Sequence, residues 1–339
     1  MADASEIRKR VLNLAHHPGD FDATTMEVFD YQYENNPLYR RYCQLIGKEK
    51  GVVNSIKEIP CLPISLFKSR EVKTEVWEAE KVFLSSGTGG QIRAKHCLRS
   101  EVWYSKIART CFESVYGPLE DYNWLGLLPN YLEQGESSLV HMVQKFVRDS
   151  EPSCSGIFSA PDSVFFETLA HAEQSQRKTI LIGVSFALLD LAEKHDLKLG
   201  RNFFVMETGG MKGRRKEMIR PELHEILKRG LSVETVHSEY GMTELLSQAY
   251  STGGGVFEPG PGLRIYTREL NDPFAIERVG VTGCVNVIDL ANIDSCSFIM
   301  TMDMGRMVDE KRFEILGRQD GSEIRGCNLM YGDRHYEFG

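Results

Sequence analysis

The segment "SVETVHSEYGMTE" (residues 232–244) is predicted to be a strand that ends in a turn, and the turn combines an aromatic ring, a hydroxyl and a carboxylate. Tyr240 can stack on a base, Thr243 can donate to a phosphate, and Glu244 can hold Mg²⁺ bound to phosphate. An alternative interpretation places Tyr240 in the core and makes Glu244 a helix-start carboxylate beside the positive end of a helix dipole. The fold that contains this turn is inferred from the strands and helices predicted on either side of it.

Short apolar strands alternate with helices on the amino-terminal side of the segment. The predicted strands are "WLGLLP" (124–129), "TILIGV" (179–184) and "NFFVMET" (202–208), and the predicted helices are "SSLVHMVQKFV" (137–147), "SFALLDLAEKH" (185–195) and "RKEMIRPELHEILKRG" (215–230). This alternation is typical of a largely parallel α/β sheet flanked by helices.

The pattern changes after about residue 250, where strands follow one another without helices. They are predicted in "GVFEPGPGLRIYTREL" (255–270), "GVTGCVNVIDL" (280–290), "SCSFIMTMDMGRMV" (295–308) and "KRFEILGR" (311–318), separated by Gly, Pro and Asp turns. Such strands indicate an antiparallel sheet or a small barrel.

The first part of the chain is predicted to be mostly helical. Helices are expected over residues 5–16 and 22–46, the second with Asp22 as its N-cap. After a short strand, Val82 to Leu84, Ser100 is the predicted N-cap of a helix that ends at Gly117.

These elements predict one large domain over residues 1–316. It comprises the helical amino-terminal segment, an α/β core to about residue 250 and a β-rich part over 251–316, and a hinge and tail follow at 317–339.

Composition narrows the class of protein. The chain has 339 residues, 42% of them hydrophobic and 26% charged, with a net charge of −8 and a pI of about 5.7. Such a charge argues against a broad nucleic-acid-binding surface. No apolar run approaches the ~20 residues of a membrane span, and no signal-peptide pattern opens the chain. The eight cysteines form no CxxC pair, so we expect a reduced, cytoplasmic protein.

Four further motifs resemble ligand-binding turns. They are "SSGTGG" (85–90) after a strand, "ETGGMKGRR" (207–215) at a strand end, "TMDMGRM" (301–307) with Asp303, and "GRQD" (317–320). Small residues and hydroxyls let a backbone approach an anion, and an aspartate after a strand can accept both hydroxyls of a ribose. Taken singly, the first is as compatible with a structural glycine turn, and for "ETGGMKGRR" alone a tight strand-to-helix turn with a solvated basic cluster is the favoured interpretation. The alternative for Asp303 is a turn aspartate before glycine.

Together and in this order the motifs resemble those of the adenylate-forming superfamily, across about 230 residues. Within it the chain is most similar to the acyl-protein synthetases, the long-chain-fatty-acid–luciferin-component ligases, on "ETGGMKGR", "HSEYGMTELLSQAY" and "GRQDGSEIRGCNLM" (317–330). The resemblance implies the superfamily's large domain: mostly parallel sheets flanked by helices, a carboxyl-terminal antiparallel β-rich subdomain, and a truncated carboxyl-terminal domain without its adenylation lysine.

Several positions depart from the superfamily pattern. Gly89 stands where a second threonine is usual in the phosphate loop, and Met302 replaces the glycine of Thr-Gly-Asp. The basic residue that normally follows the phosphate loop is Arg93 or Lys95.

The resemblance also implies a chemistry with ATP and Mg²⁺ as cofactors. A fatty acid or other carboxylic acid attacks the α-phosphate, and the acyl group then passes from the adenylate to a cysteine of the enzyme, with Cys327 at the matching position. The implied catalytic residues are Cys327, Thr243 and Glu244, the last also as metal ligand. The implied ATP-binding residues are Ser85, Ser86, Gly87, Thr88, Gly89, Gly90, Gly209, Gly210, Tyr240, Gly241, Asp303 and Arg318.

His237 is a candidate base or a residue that lines the acid pocket. The other seven cysteines are expected in the core. A partner such as an acyl reductase or acyltransferase would receive the acyl group. Two alternatives stay open: a truncated acyl- or aryl-CoA or carrier-protein ligase, and a non-catalytic scaffold subunit.

Overall fold

The computed structural model describes residues 3–86, 92–129, 136–211, 215, 216 and 218–319. The helices are α1 (Ala4–Asn13), α2 (Phe21–Asn35), α3 (Pro37–Leu45), α4 (Leu66–Ser69), α5 (Glu101–Tyr116), α6 (Ser138–Arg148), α7 (Ser163–Gln174), α8 (Ser185–Lys194) and α9 (Arg220–Leu231). Short 3₁₀ turns lie at Pro18–Asp20, Ile56–Glu58, Leu119–Asp121 and Pro152–Cys154.

The strands are β1 (Leu62–Pro63), β2 (Lys81–Leu84), β3 (Lys95–Leu98), β4 (Tyr122–Leu127), β5 (Gly156–Phe158), β6 (Lys178–Val184), β7 (Phe203–Thr208), β8 (Val236–Tyr240), β9 (Ala249–Ser251), β10 (Val256–Pro259), β11 (Leu263–Arg268), β12 (Thr282–Asp289), β13 (Phe298–Met307) and β14 (Phe313–Arg318). Most belong to one continuous sheet with the order β11-β12-β13-β14-β10-β9-β8-β7-β6-β4-β5, and β1 is added beside β13.

The parallel and antiparallel halves of this sheet correspond to the two sequence patterns. Strands β5, β4, β6, β7 and β8 are parallel, as the alternation with helices predicts. From β8 through β9, β10, β14, β13 and β12 to β11 every neighbour is antiparallel. The β-rich part is therefore an antiparallel sheet rather than a small barrel, and hydrogen bonds join it to the α/β half.

The predicted helix over residues 22–46 is wrong in two respects. Asn36 adopts an extended conformation between α2 and α3 because the following Pro37 disfavours the helical region at the preceding residue. Asp22 does not cap α2, whose N-cap position is Asp20, but pairs with Arg264 of β11. Helix α9 likewise begins later than predicted, at Arg220, with a proline in its first turn.

Other helix boundaries agree with the sequence. The Ser100 side chain accepts from the Trp103 N–H at the start of α5, and α5 ends at Gly117 in a positive-φ conformation.

A buried loop, residues 290–297, connects the amino-terminal helices to the rest of the molecule. All of its residues are buried, so its backbone groups need protein partners. Gln32 of α2 donates to the Asn292 and Ile293 carbonyls and accepts from the Ser297 N–H, and Asn36 donates to the Ser295 carbonyl. The helices thus dock through buried amides as well as through apolar packing.

This docking makes Asn36 a sensitive position. The Asn36 side chain is fully buried, accepts from the Tyr39 N–H (2.9 Å) as the cap of α3, and donates to the Ser295 carbonyl (2.9 Å). We expect Asn36→Ala to lower the free energy of unfolding by about 2–3 kcal/mol in urea denaturation, since a cap and a buried hydrogen bond are both lost. The exposed Asn54, whose side-chain amide donates to the Val52 carbonyl two residues away, is the control. An equal effect of Asn54→Ala would contradict this account.

Candidate active site

The carboxyl ends of the parallel strands form the edge where the sequence motifs meet. β7 ends just before Gly209, whose φ of +68° is a conformation that favours glycine, and β8 ends just before Gly241. A Cβ at Gly241 would lie 2.5 Å from a carboxylate oxygen of Glu239, whereas one at Gly210 would meet nothing within 4 Å. Ligands of open α/β sheets bind at such an edge.

Asp303 joins the antiparallel half of the sheet to this edge. The Tyr240 hydroxyl at the end of β8 donates to Asp303 Oδ2 (2.8 Å), and Arg318 Nε lies 3.2 Å from Oδ1. Asp303 and Arg318 are register partners on β13 and β14. The structure thus brings together three of the predicted ATP-binding residues, which are separate in sequence.

Tyr240 has two surroundings. Its ring is buried and makes edge contacts with Phe257 and Phe313, as the core interpretation of this residue predicts. Its hydroxyl is the part that reaches Asp303. Because the ring is already packed on these phenylalanines, orienting the Asp303 carboxylate is the contribution that the described contacts support.

Glu244 is a buried carboxylate, only 7% exposed, and no helix begins at it, so the helix-start interpretation is wrong. No ion pair joins it to another described side chain. Burial raises the pKa of Glu244 to about 7, Asp303 adds to that increase, and the charges of Arg318 and Lys68 oppose it. A carboxylate held in this way is a favourable ligand for a cation, which would stabilise its ionised form.

The turn that carries Thr243 and Glu244 is held by residues that the motifs did not indicate. His96 Nδ1 lies 2.7 Å from the Thr243 carbonyl oxygen, and Asn292 Nδ2 donates to the Glu244 carbonyl (2.7 Å). Asp289, fully buried, accepts from the N–H groups of Leu246 and Ser247. These contacts span about 150 and 50 residues of sequence, so no local spacing could have revealed them.

The predicted phosphate loop connects β2 and β3, which pair as an antiparallel hairpin. Ser85 is half-buried, and its hydroxyl accepts from the Ala94 N–H, while Ser86 is exposed. Arg93 donates to the Ser85 carbonyl and pairs with Glu136, whereas Lys95 is exposed on β3. Gly87, Thr88, Gly89, Gly90 and Cys327 lie outside the described residues, so their roles stay predictions.

His237 lies apart from the Asp303 cluster. Its Nδ1 is 3.0 Å from the Tyr116 hydroxyl, and its ring meets those of Tyr116 and Phe204. Burial, assisted by the charge of His224, lowers the pKa of His237 to about 4, so the imidazole is neutral at pH 7. Among its described contacts none is to the cluster, and a pocket-lining role fits these aromatic surroundings better than that of a base.

Magnesium fits the site only as a nucleotide-bound ion. In the described part of the chain no group of three or more His, Cys, Asp or Glu residues is arranged to hold a metal. Glu244 offers one buried carboxylate that no described side chain pairs with. Mg²⁺ retains water and takes one or two carboxylates together with substrate phosphates, which matches this donor set.

Comparison with solved structures identifies the fold as that of adenylate-forming ligases. A 2-hydroxyisobutyryl-CoA ligase in complex with its acyl-adenylate and CoA has a TM-score of 0.63 at 15% identity, over 94% of this chain and 76% of that one. ATP-bound MatB from Rhodopseudomonas palustris has a TM-score of 0.51 at 16% identity, over 72% and 49%. An O-succinylbenzoate-CoA synthetase from Bacillus subtilis, solved with ATP and magnesium, has 0.50 at 16%, over 75% and 54%.

Sequence comparison narrows this class. The family model described as acyl-protein synthetase, LuxE, matches residues 16–112. The long-chain-fatty-acid–luciferin-component ligase of Vibrio harveyi is 24% identical over 332 residues, 89% of this chain and 84% of that protein. The resemblance to the acyl-protein synthetases is thereby confirmed. No helix within the described ranges is long and apolar enough to cross a bilayer.

The Tyr240 hydroxyl supplies a test of the Asp303 cluster. Tyr240→Phe keeps the packed ring and removes only the donor to Asp303, so we expect about a tenfold weaker binding of ATP. Tyr33→Phe, which removes an exposed hydroxyl bonded to Glu49, is the matched control and should leave ATP binding unchanged. Equilibrium titration with ATP measures both. Equal affinities of Tyr240→Phe and wild type would exclude this role.

Two buried carboxylates beside the site predict opposite pH effects. Burial raises the pKa of Glu239 from 4.5 to about 7. Between these pH values the folded state holds a proton that the unfolded state has released, so the free energy of unfolding falls as the pH rises from 4.5 to 7. For Glu207 burial would raise the pKa, but Arg220 together with hydrogen bonds from His224 and Ser238 outweighs it and lowers the pKa to about 2. The stabilisation from Glu207 is therefore lost as the pH falls below 4.5.

We therefore expect Glu239→Gln to raise the free energy of unfolding at pH 7.5 by about 1–3 kcal/mol and not at pH 4.5. The Thr208 hydroxyl, which donates to Glu239, can donate equally to the glutamine carbonyl. Urea denaturation at both pH values measures the difference, with the exposed Glu234→Gln as control. A gain at pH 4.5 as large as that at pH 7.5 would refute the assignment.

Proposed function

We propose that this chain is an ATP-dependent acid–thiol ligase of the acyl-protein synthetase type, acting on a fatty acid. In the first step a carboxylate oxygen of the acid attacks the α-phosphorus of ATP, and the bond to the β-phosphate oxygen breaks, giving acyl-adenylate and pyrophosphate. In the second a cysteine thiolate attacks the acyl carbon and AMP leaves with the electron pair, giving a protein thioester.

The observation that carries the proposal is the convergence at the carboxyl edge of the sheet. Asp303, oriented by Tyr240 and Arg318, offers carboxylate oxygens to ribose hydroxyls. Glu244 offers a buried carboxylate to a phosphate-bound cation. Phosphoryl-type transfer depends mainly on positioning and charge stabilisation, and these residues supply both. The relationship to the Vibrio harveyi ligase and the adenylate-forming fold support the same reaction.

The described cysteines favour Cys327 as the acyl acceptor. All seven of them are buried: Cys43, Cys61, Cys97, Cys111, Cys154, Cys284 and Cys296. Burial raises the pKa of the Cys43, Cys61 and Cys111 thiols to about 12, which leaves almost no thiolate at neutral pH. The expectation that these cysteines are core residues is confirmed.

The position of Cys327 along the chain is compatible with acceptance at the site. Arg318 is at the Asp303 cluster, and the next residue, Gln319, donates its N–H to the Met302 carbonyl (2.8 Å). Cys327 is eight residues beyond Gln319, and a chain of that length spans at most ~27 Å. A chain of eight residues is therefore long enough for the Cys327 thiol to reach an adenylate bound beside Asp303.

The partner and the cell compartment are part of the proposal. A thioester is an activated acyl group, so a protein that reduces it or transfers it to another acceptor would complete the sequence, and a cytoplasmic location would supply ATP and keep thiols reduced.

The test is formation of a labelled protein. We expect wild type, given ATP, Mg²⁺ and radiolabelled fatty acid, to become labelled in a form that hydroxylamine releases. Cys327→Ser should abolish that label while pyrophosphate release continues, because the first step needs no thiol. Cys154→Ser, at a buried cysteine, is the control and should keep the label.

Two other outcomes favour the alternatives. Pyrophosphate release without protein label, but with acyl-CoA when CoA is added, would favour a CoA or carrier-protein ligase. Absence of pyrophosphate release with fatty acids of several chain lengths would favour a scaffold subunit.

A further inference from the structure

Lys68 is a cation beside the site that none of the motifs includes. It lies in the single-turn helix α4, next to Phe67, which is 1% exposed. The Lys68 side chain itself is exposed, and within the described ranges it makes no ion pair. Helix α4 is thus anchored by its phenylalanine and presents its lysine to solvent.

Two independent contacts fix α4 against the elements of the site. Strand β1 pairs with β13, with Pro63 opposite Met300, and the Ile64 N–H donates to the Met300 carbonyl (3.0 Å). This places α4 directly after a segment bonded to β13 three residues before Asp303.

The second contact reaches the turn that carries Glu244. The Phe67 ring meets the His96 ring edge-on, with centroids 6.0 Å apart, and His96 is hydrogen-bonded to the Thr243 carbonyl. Phe67, the neighbour of Lys68, therefore packs on the histidine that supports this turn, while Ile64, just before α4, is bonded to β13.

The two cations of the site, Arg318 and Lys68, differ in whether a described carboxylate pairs with them. Arg318 is engaged by Asp303, whereas Lys68 has no described carboxylate within ion-pair distance. Because an exposed lysine loses little hydration when it meets a phosphate at the surface, Lys68 is available to an anionic ligand.

We propose that the Lys68 ammonium binds the acid carboxylate and the α-phosphate of ATP as they combine, and so serves as a catalytic residue of adenylate formation. This assignment rests on the proposed function. Both reactants are anions, so their approach is opposed by charge, and a cation fixed beside them offsets that repulsion most where the new bond forms. No proton is transferred to or from Lys68 in this step.

The alternative is a solvated surface lysine that contributes only to net charge. The two interpretations differ in whether the Lys68 side chain contributes to the rate of adenylate formation. A surface lysine would be replaceable without effect, whereas a lysine on the reacting anions should affect adenylate formation more than the binding of ATP alone.

The experiment measures acid-dependent pyrophosphate release with ATP and Mg²⁺ in wild type, Lys68→Ala and Lys68→Arg. We expect kcat of Lys68→Ala to be about 100-fold or more below that of wild type. Lys68→Arg keeps a positive charge, and its kcat should be at least about tenfold higher than that of Lys68→Ala. Lys57→Ala is the control, an identical change at an exposed lysine near Arg264 and Tyr266, and should keep wild-type kcat. The melting temperatures of the three variants should agree with that of wild type to within about 2 °C.

The outcomes separate this inference from the proposed function. Wild type that releases no pyrophosphate would overturn both. Active wild type with Lys68→Ala at the same kcat would overturn the Lys68 assignment alone. A lower kcat with a melting temperature lowered by several degrees would also overturn it, since the effect would then be structural. Loss of rate with unchanged melting and rescue by arginine supports it.

Discussion

The buried loop 290–297 is the constraint on which the arrangement of the site depends. A loop without regular structure carries backbone N–H and carbonyl groups that cost free energy when they are buried without partners. On the side facing the amino-terminal helices, the side-chain amides of Gln32 and Asn36 donate to the backbone carbonyls of the loop. On the other side Asn292 donates from the loop to the Glu244 carbonyl, and Asp289, just before it, holds the backbone of residues 246 and 247. The amino-terminal helices and the turn with Glu244 are thus fixed by the same short segment.

Charge is distributed at the site so that the carboxylates are not equivalent. Asp303 is held by a hydroxyl and a guanidinium and keeps a fixed orientation. Glu244 is buried without an ion-pair partner in the described chain, and it is the carboxylate that we propose as ligand of a phosphate-bound cation. Glu207, also buried, is neutralised by Arg220, which ties the end of β7 to the Ile315 carbonyl of β14. The three carboxylates thus differ: Asp303 is held in place by its partners, Glu244 has no described ion-pair partner, and Glu207 connects the two halves of the sheet through Arg220.

Local signals predicted much of this architecture because they act over one turn or one strand. The caps at Ser100 and Gly117 were readable from side-chain chemistry and φ preferences. The strands of both halves followed from runs of apolar residues. The helix over 22–46 failed because hydrophobic periodicity continues through Asn36, while the proline after it ends the helix. The role of Asp22 failed for a different reason, since its partner Arg264 is 242 residues away.

The sequence by itself determined the order of the motifs and hence singled out Tyr240, Glu244, Asp303 and Arg318. Tyr240 and Arg318 end strands β8 and β14 and Glu244 lies in the turn after β8, whereas Asp303, predicted to follow a strand, lies inside β13. The tertiary structure decided what those residues do to one another. Only the pairing of β13 with β14 places Asp303 opposite Arg318, and only the packing of Phe67 on His96 brings α4 to the turn. The contacts that build the site join residues from 15 to 147 positions apart, as between Asp303 and Arg318 and between His96 and Thr243. Their geometry is set by which faces pack together, a property of the folded chain rather than of any short stretch of it.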